Sequence, residues 1–249
     1  MDYNLILLIL ATFLAGFIDA IVGGGGLITV PTLLTLGLPA ENIIASNKLI
    51  GVSTAITGSY KYLKSNIIRW ETIRKFIILS LIGSVFGSYI NSLLSPSFLR
   101  IFIFCAILIL FLYLTFKRKI EYVDHPIPRL SFVLLPLFIF IIGFYDGFFG
   151  PGTGTFLIMI FLYFSRFTLL QSAAHGRILN LTSNIGAILF FSTTGLINFW
   201  FVFPGMIAAS IGGYIGASYS VKYGTKGIRP IMYICVTVLL IKMARDLFL

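Results

Sequence analysis

Acidic residues are rare in this chain: eight Asp and Glu stand against 18 Lys and Arg among 249 residues, and charged side chains of both signs make up only 10%. So few charges cannot cover the surface of a water-soluble globule. With 58% hydrophobic residues and a mean hydropathy of +1.02, the solvent is lipid. Cysteine is equally scarce. Cys105 and Cys235 both fall inside apolar runs, without a CxxC or Cys/His grouping, which excludes a disulfide framework and gives no metal or redox centre; both thiols are expected to be inert. With two histidines and no nucleophile–base constellation, neither an enzyme nor a bound cofactor is expected. The net charge of +10 does not form one basic soluble face, because the Lys and Arg residues cluster at the ends of apolar runs; membrane topology accounts for them and no nucleic-acid partner is expected.

What is abundant is the long apolar run. A hydrocarbon core of about 30 Å takes roughly 20 residues of helix. Runs near that length lie at Asn4–Val22, Lys75–Leu94, Phe98–Phe116, Leu130–Phe149, Phe199–Tyr219 and Ile228–Phe248. They are too long and continuous for β-barrel strands. The first lacks a basic leader and ends in a motif that recurs inside the chain, so it is expected to be retained rather than cleaved.

That motif is an aspartate four residues ahead of a glycine-rich break: "DAIVGGGGLITVP" from Asp19 and "DGFFGPGTGTFLI" from Asp146. Gly16, Asp19, Gly23 and Gly25 match Gly143, Asp146, Gly150 and Gly152 at one constant offset. After a two-residue shift, a second offset pairs Lys48 with Arg177, Gly83 and Gly87 with Gly212 and Gly216, and Arg100 with Arg229. Glycines and charges that keep their spacing over such a distance mark an internal repeat. Each half reads as five elements: a long run, the break, a short run (Leu27–Leu38; Thr155–Phe164), a polar-flecked helix (Ala45–Leu63; Ala174–Thr193) and a closing pair.

Basic residues favour the cytoplasmic side of short loops. Lys61, Lys64, Arg69, Arg74 and Lys75 crowd one connection of the first half, while its counterpart Thr193–Phe199 has none. The closing connections are biased the other way, with Arg100 alone in the first half against Lys222, Lys226 and Arg229 in the second. With Lys117, Arg118, Lys119 and Arg129 also inside, the consistent solution turns the halves upside down relative to each other. The expected fold class is therefore an all-α membrane protein, a polytopic bundle of two inverted repeats of about five elements each with glycine-broken or short helices. Residues 1–119 form the first transmembrane repeat, 120–129 a cytoplasmic linker and 130–249 the second repeat of one integral membrane domain. Inverted halves bring equivalent breaks toward the midplane, as in many secondary transporters.

Backbone amides of a glycine run, followed by a helix N-terminus, suit an anion. The candidate binding residues are Gly24, Gly25 and Gly26 in the first break and Gly152, Thr153 and Gly154 in the second, with Pro151 bending the chain. Lys48 and Arg177 supply positive charge where a cation inside a membrane segment demands a function or a partner. Asn47 and Asn180 belong to small, polar stripes (Asn47, Gly51, Thr54, Gly58; Gly176, Asn180, Ser183, Ala187) that fit either a lined pathway or close helix packing. Asp19 and Asp146 are candidates for ion coupling or for capping the broken backbone. Gly83/Gly87 and Gly212/Gly216 read as packing sites. His175 has no counterpart in the first half and is expected to be peripheral.

The Asp-x3-Gly-Gly-Gly-Gly pattern with Pro31, then Gly37-Leu38-Pro39, Ala45-Ser46-Asn47-Lys48, Gly195-Leu196-Ile197-Asn198-Phe199 and above all "DGFFGPGTG" (Asp146–Gly154) resemble the TauE/SafE family of sulfite exporters and anion permeases over nearly the whole chain. The resemblance implies a multi-pass carrier of a prokaryotic inner membrane that moves sulfite, sulfoacetate, thiosulfate or related anions, driven by a coupling ion such as proton or sodium. An anion channel and a membrane scaffold or assembly subunit are the rival readings.

Overall fold

Gly23 has φ +80°, a left-handed value that side-chain-bearing residues resist, and there the first helix stops. The computed structural model describes residues 3–95, 131–165 and 167–248. Among these residues the protein is all-helical, with eight helices and no strand: α1 (Tyr3–Val22), α2 (Gly26–Thr35), α3 (Ala40–Lys64), α4 (Trp70–Ser92), α5 (Ser131–Phe148), α6 (Thr153–Ser165), α7 (Leu169–Phe191) and α8 (Phe199–Phe248). Gly224, at φ 54° and ψ −141°, interrupts α8. The expected run Phe98–Phe116, Cys105, the basic residues Arg100, Lys117, Arg118, Lys119 and Arg129, and the linker 120–129 lie outside the described residues.

Among the described residues, three helices are long and apolar enough to cross a membrane: Tyr3–Val22, Trp70–Ser92 and Phe199–Gly224. α3 and α7 have comparable lengths of 25 and 23 residues but carry the polar stripes and ionic residues of the interior. α2 and α6, with 10 and 13 residues, rise only about 15 and 20 Å.

Several helices start earlier than hydropathy places them. α7 begins at Leu169 because Thr168 and Gln171 form a capping box, each side chain accepting the other's backbone N–H. α3 begins directly after Pro39, and α4 opens on Trp70-Glu71, ahead of the run expected from Lys75. An apolar-run reading starts at the lipid; the helices start in their polar first turns.

The two halves clasp each other. α1 packs on α8 and α5 on α4, while α3 also packs on α8, α7 on α4, and α3 on α7. Matched glycines make these contacts possible. A Cβ at Gly87 would run into the Phe144 carbonyl and one at Gly216 into the Phe17 carbonyl, and Gly83 and Gly212 meet the backbones of Phe140 and Phe13 in the same way. α3 and α7 run antiparallel, since Gly51 lies against Asn184 and Gly58 against Arg177. Interhelical hydroxyl bonds reinforce the clasp: Ser80 and Ser84 donate to the Leu179 and Ser183 carbonyls, and Thr57 and Ser210 join α3 to α8. The turns after α3 and α7 pass through matched left-handed residues, Asn66 (φ 55°) and Gly195 (φ 71°).

Because backbone meets backbone at Gly87 and Gly216, Gly87→Ala and Gly216→Ala should each destabilise the purified protein by about 1–3 kcal/mol, read as a lower melting temperature in detergent. Gly58→Ala, whose nearest neighbour is 3.6 Å away, should be tolerated. Equal tolerance at all three positions would mean that these helices do not touch.

Candidate functional site

A broken helix exposes amides and carbonyls that lipid cannot satisfy, so each break must find partners inside the protein. In the first, Gly25 N–H donates to Asp19 Oδ1 at 3.0 Å, and Thr155 of the other half donates to the Val22 carbonyl at 2.9 Å. In the second, the Thr153 backbone N–H donates to the Gly150 carbonyl at 3.0 Å and the Tyr145 hydroxyl to that of Pro151. The breaks also meet: Gly23 touches the backbone of Gly154, and Gly26 faces Pro151.

Among the described residues, the two buried cations are held by acids of the opposite half of the chain. Lys48 Nζ lies 2.8 Å from Asp146 Oδ1, and Arg177 Nη1 lies 2.5 Å from Asp19 Oδ2. Lys48 and Arg177 occupy matching places in the sequence, as do Asp19 and Asp146, and each cation pairs with the acid from the other motif. Desolvating a single charge in this interior is costly, and each acid offsets the charge of its cation.

The two pairs differ in their surroundings. Asp146 holds three donors: Oδ1 accepts Lys48 and Thr153, the latter at 2.8 Å, and Oδ2 accepts Ser183 at 2.5 Å. Gly150 packs against Lys48 Nζ so closely that a Cβ there would collide with it, and the side chains of Lys48 and Asp146 are 1% and 2% exposed. Asp19 is 14% exposed. It lines a cavity of ≈ 10 Å³ together with Gly23, Gly154, Gly176, Arg177 and Asn180, room for one water-sized group. The guanidinium bonds, to Asp19 and at 3.5 Å to Asn180, both leave from Nη1, and Nε and Nη2 of Arg177 have no acceptor among the described residues.

The candidate residues from the sequence thus fall into three groups. Asp19, Gly25, Gly154, Arg177 and Asn180 gather at the small cavity. Lys48, Asp146 and Thr153 gather with Ser183 in the sealed cluster beside Gly150 and Gly152. Asn47 stands apart from both, its Oδ1 accepting from Thr29, while Gly24 and Gly26 lie in the break itself. Thr29, Thr155, Tyr145 and Ser183 contribute without having been counted among the candidate site residues; Thr155 carried a signal in its hydroxyl beside Thr153 in the second break, and Ser183 in its place in the polar stripe. His175 is not peripheral. It is fully buried against Phe161 and Phe167, and its Nε2 accepts the Arg69 backbone N–H at the start of α4, at 2.9 Å. Its Nδ1 faces the Gln171 carbonyl, so the ring is the neutral tautomer with the proton on Nδ1. A larger cleft of ≈ 580 Å³ between the starts of α4 and α5 and the end of α6 includes none of the residues of these clusters.

Interrupted helices that meet around buried, mutually neutralised charges in an apolar bundle are the build of a membrane transporter. A family model described as sulfite exporter TauE/SafE matches residues 8–243. Probable membrane transporter proteins show the same likeness. The one from Haemophilus influenzae is 34% identical over 235 residues, 94% of this chain and 92% of that protein. ORF9 of Sinorhizobium sp is 32% identical over 96% of this chain and 92% of its own. YfcA of Escherichia coli K12 is 30% identical over 96% and 89%. No solved structure matches. The chain belongs to the sulfite exporter TauE/SafE family and is a membrane transporter.

Removing one partner of the sealed pair strands the other in a dry interior, so Lys48→Met or Asp146→Leu alone should destabilise the protein by about 3–5 kcal/mol. The double variant Lys48→Met/Asp146→Leu should recover most of that loss in a melting experiment. Additive damage in the double variant would show that the two side chains do not interact.

Proposed function

We propose that the chain is a secondary carrier of small sulfur-containing anions, sulfite, sulfoacetate or similar, which works by alternating access between two inverted halves, residues 1–119 and 130–249. It sits as a multi-pass protein in the cell inner membrane, and the family's description as sulfite exporters supports the substrate class. The observation that carries the reading is the meeting of both glycine breaks beside two ion pairs exchanged between the halves. The antiparallel run of the matched helices α3 and α7 supports the inversion, because equivalent segments then cross in opposite senses. Rocking one half against the other would pull on both exchanged pairs together and turn the site from one side to the other.

The break glycines Gly24, Gly25, Gly26, Gly152 and Gly154, with Thr153, Asn47 and Asn180, offer amide, hydroxyl and carboxamide groups to an oxyanion, and Arg177 offers charge. A site with room for one water favours an occluded carrier over an open anion channel, and exchanged charges have no evident use in a scaffold or assembly subunit.

In a melting assay of the purified protein, sulfite, thiosulfate or sulfoacetate should raise the melting temperature, and Arg177→Ala should abolish the rise. In proteoliposomes the stabilising anion should be taken up with saturation and should show counterflow. Uptake that neither saturates nor exchanges would point to a channel, and no response to any anion would overturn the reading.

A further inference from the structure

The two exchanged pairs are chemically unequal. A lysine can pass its proton to its acid and leave both groups neutral, whereas a guanidinium keeps its proton under all physiological conditions. If Asp19 is neutralised, Arg177 remains a fixed positive charge in a low-dielectric interior and needs another anion. Asp19 is also the more accessible acid, with 14% exposure against 2% for Asp146, and the only one of the two that lines the cavity. The Arg177 guanidinium, itself only 4% exposed, also lines it, with Nε and Nη2 lacking acceptors among the described residues.

We propose that Asp19 is a built-in stand-in for the transported anion: a proton taken up on Oδ2 releases Arg177 Nη1, an anion oxygen takes the vacated place, and one proton accompanies each anion. This rests on the anion-carrier reading above. Arg177 stays paired throughout, since one anionic oxygen replaces the carboxylate that the proton neutralises; a monoanion then enters with its proton without net charge, and a dianion such as sulfoacetate carries one negative charge net. The neutral side chain is still held, because Oδ1 continues to accept the Gly25 N–H. The Lys48–Asp146 pair, with Thr153 and Ser183 also bonded to Asp146, takes no part in this exchange of partners.

The groups that surround Asp19 are few. α7 presents Arg177; α3 presents Lys48, within electrostatic reach, and Tyr62, which donates to the Ala20 carbonyl; α8 presents Tyr219 against Phe17. His175 of α7 is turned to Phe167 and the Arg69 amide, and α2 and α6 bring no ionisable group to the breaks. A cavity of ≈ 10 Å³ cannot hold a sulfonate, so the described conformation is the one with Asp19 in place, and the anion's volume must come from separation of Gly23 and Gly154.

The test is sulfoacetate binding by the purified full chain across pH 6–8, where both acid groups of this probe are ionised, since a carboxylic acid titrates near about pH 4. Affinity should rise as pH falls, approaching tenfold per pH unit, with uptake of one proton per anion measured in weak buffer. Asp19→Asn should bind sulfoacetate with a flat pH profile and no proton uptake. Should that variant not fold, the proton stoichiometry of the native protein decides alone. Binding that is independent of pH and takes up no proton would overturn the stand-in role while leaving the anion carrier intact. The absence of sulfoacetate, sulfite and thiosulfate binding at every pH would overturn both.

Discussion

A charge inside a hydrocarbon layer must be neutralised by something, and here each half neutralises the other. Lys48 and Arg177 are fully or nearly fully buried, and each is paired not with the acid of its own half of the chain but with that of the other, Lys48 with Asp146 and Arg177 with Asp19. Two separate modules would each carry an unpaired cation and an unpaired acid, at a cost of several kcal/mol per ion. The exchange therefore makes assembly of the halves a condition of burying either one. It also fixes where the broken helices end, because Asp19 and Asp146 begin the same motifs that contain the glycines.

Close backbone approach makes the exchange geometrically possible. Glycines at positions 16, 83, 87, 143, 147, 212 and 216 let α1 settle on α8 and α5 on α4 with no side chain between them. In lipid there is little hydrophobic drive between helices, so such contacts and hydroxyl-to-carbonyl bonds supply the association. Ser80 and Ser84 on one side and Thr57 and Ser210 on the other bind the polar helices α7 and α3 into the same clasp. A site made from the meeting of two breaks inherits its precision from this frame.

Much of this was readable from residue spacing. The matched glycines announced the packing of α4 and α8, and the Asp-glycine motifs announced the breaks and their common surroundings. The pairing was harder to see. Lys48 and Asp146 lie 98 residues apart, and each read alone suggested a different task, an anion ligand for the lysine and a cap for the acid. Two acids and two cations in matched places were the available clue. His175 escaped for a related reason: its partner is the backbone amide of Arg69, and a backbone group leaves no mark in the sequence. The early starts of α3 and α7 depend on Pro39 and on the Thr168–Gln171 capping box, polar features that an apolar-run reading passes over.

The inversion of the two halves is the central claim, and sided labelling tests it most directly. With Cys105 and Cys235 replaced by serine, single cysteines would be placed at two matched, exposed positions just before the α3–α4 and α7–α8 turns, Lys64→Cys and Thr193→Cys. A membrane-impermeant thiol reagent applied to oriented membranes should reach Thr193→Cys from the outer face and Lys64→Cys only from the cytoplasmic face. Labelling of both positions from the same face would contradict the account.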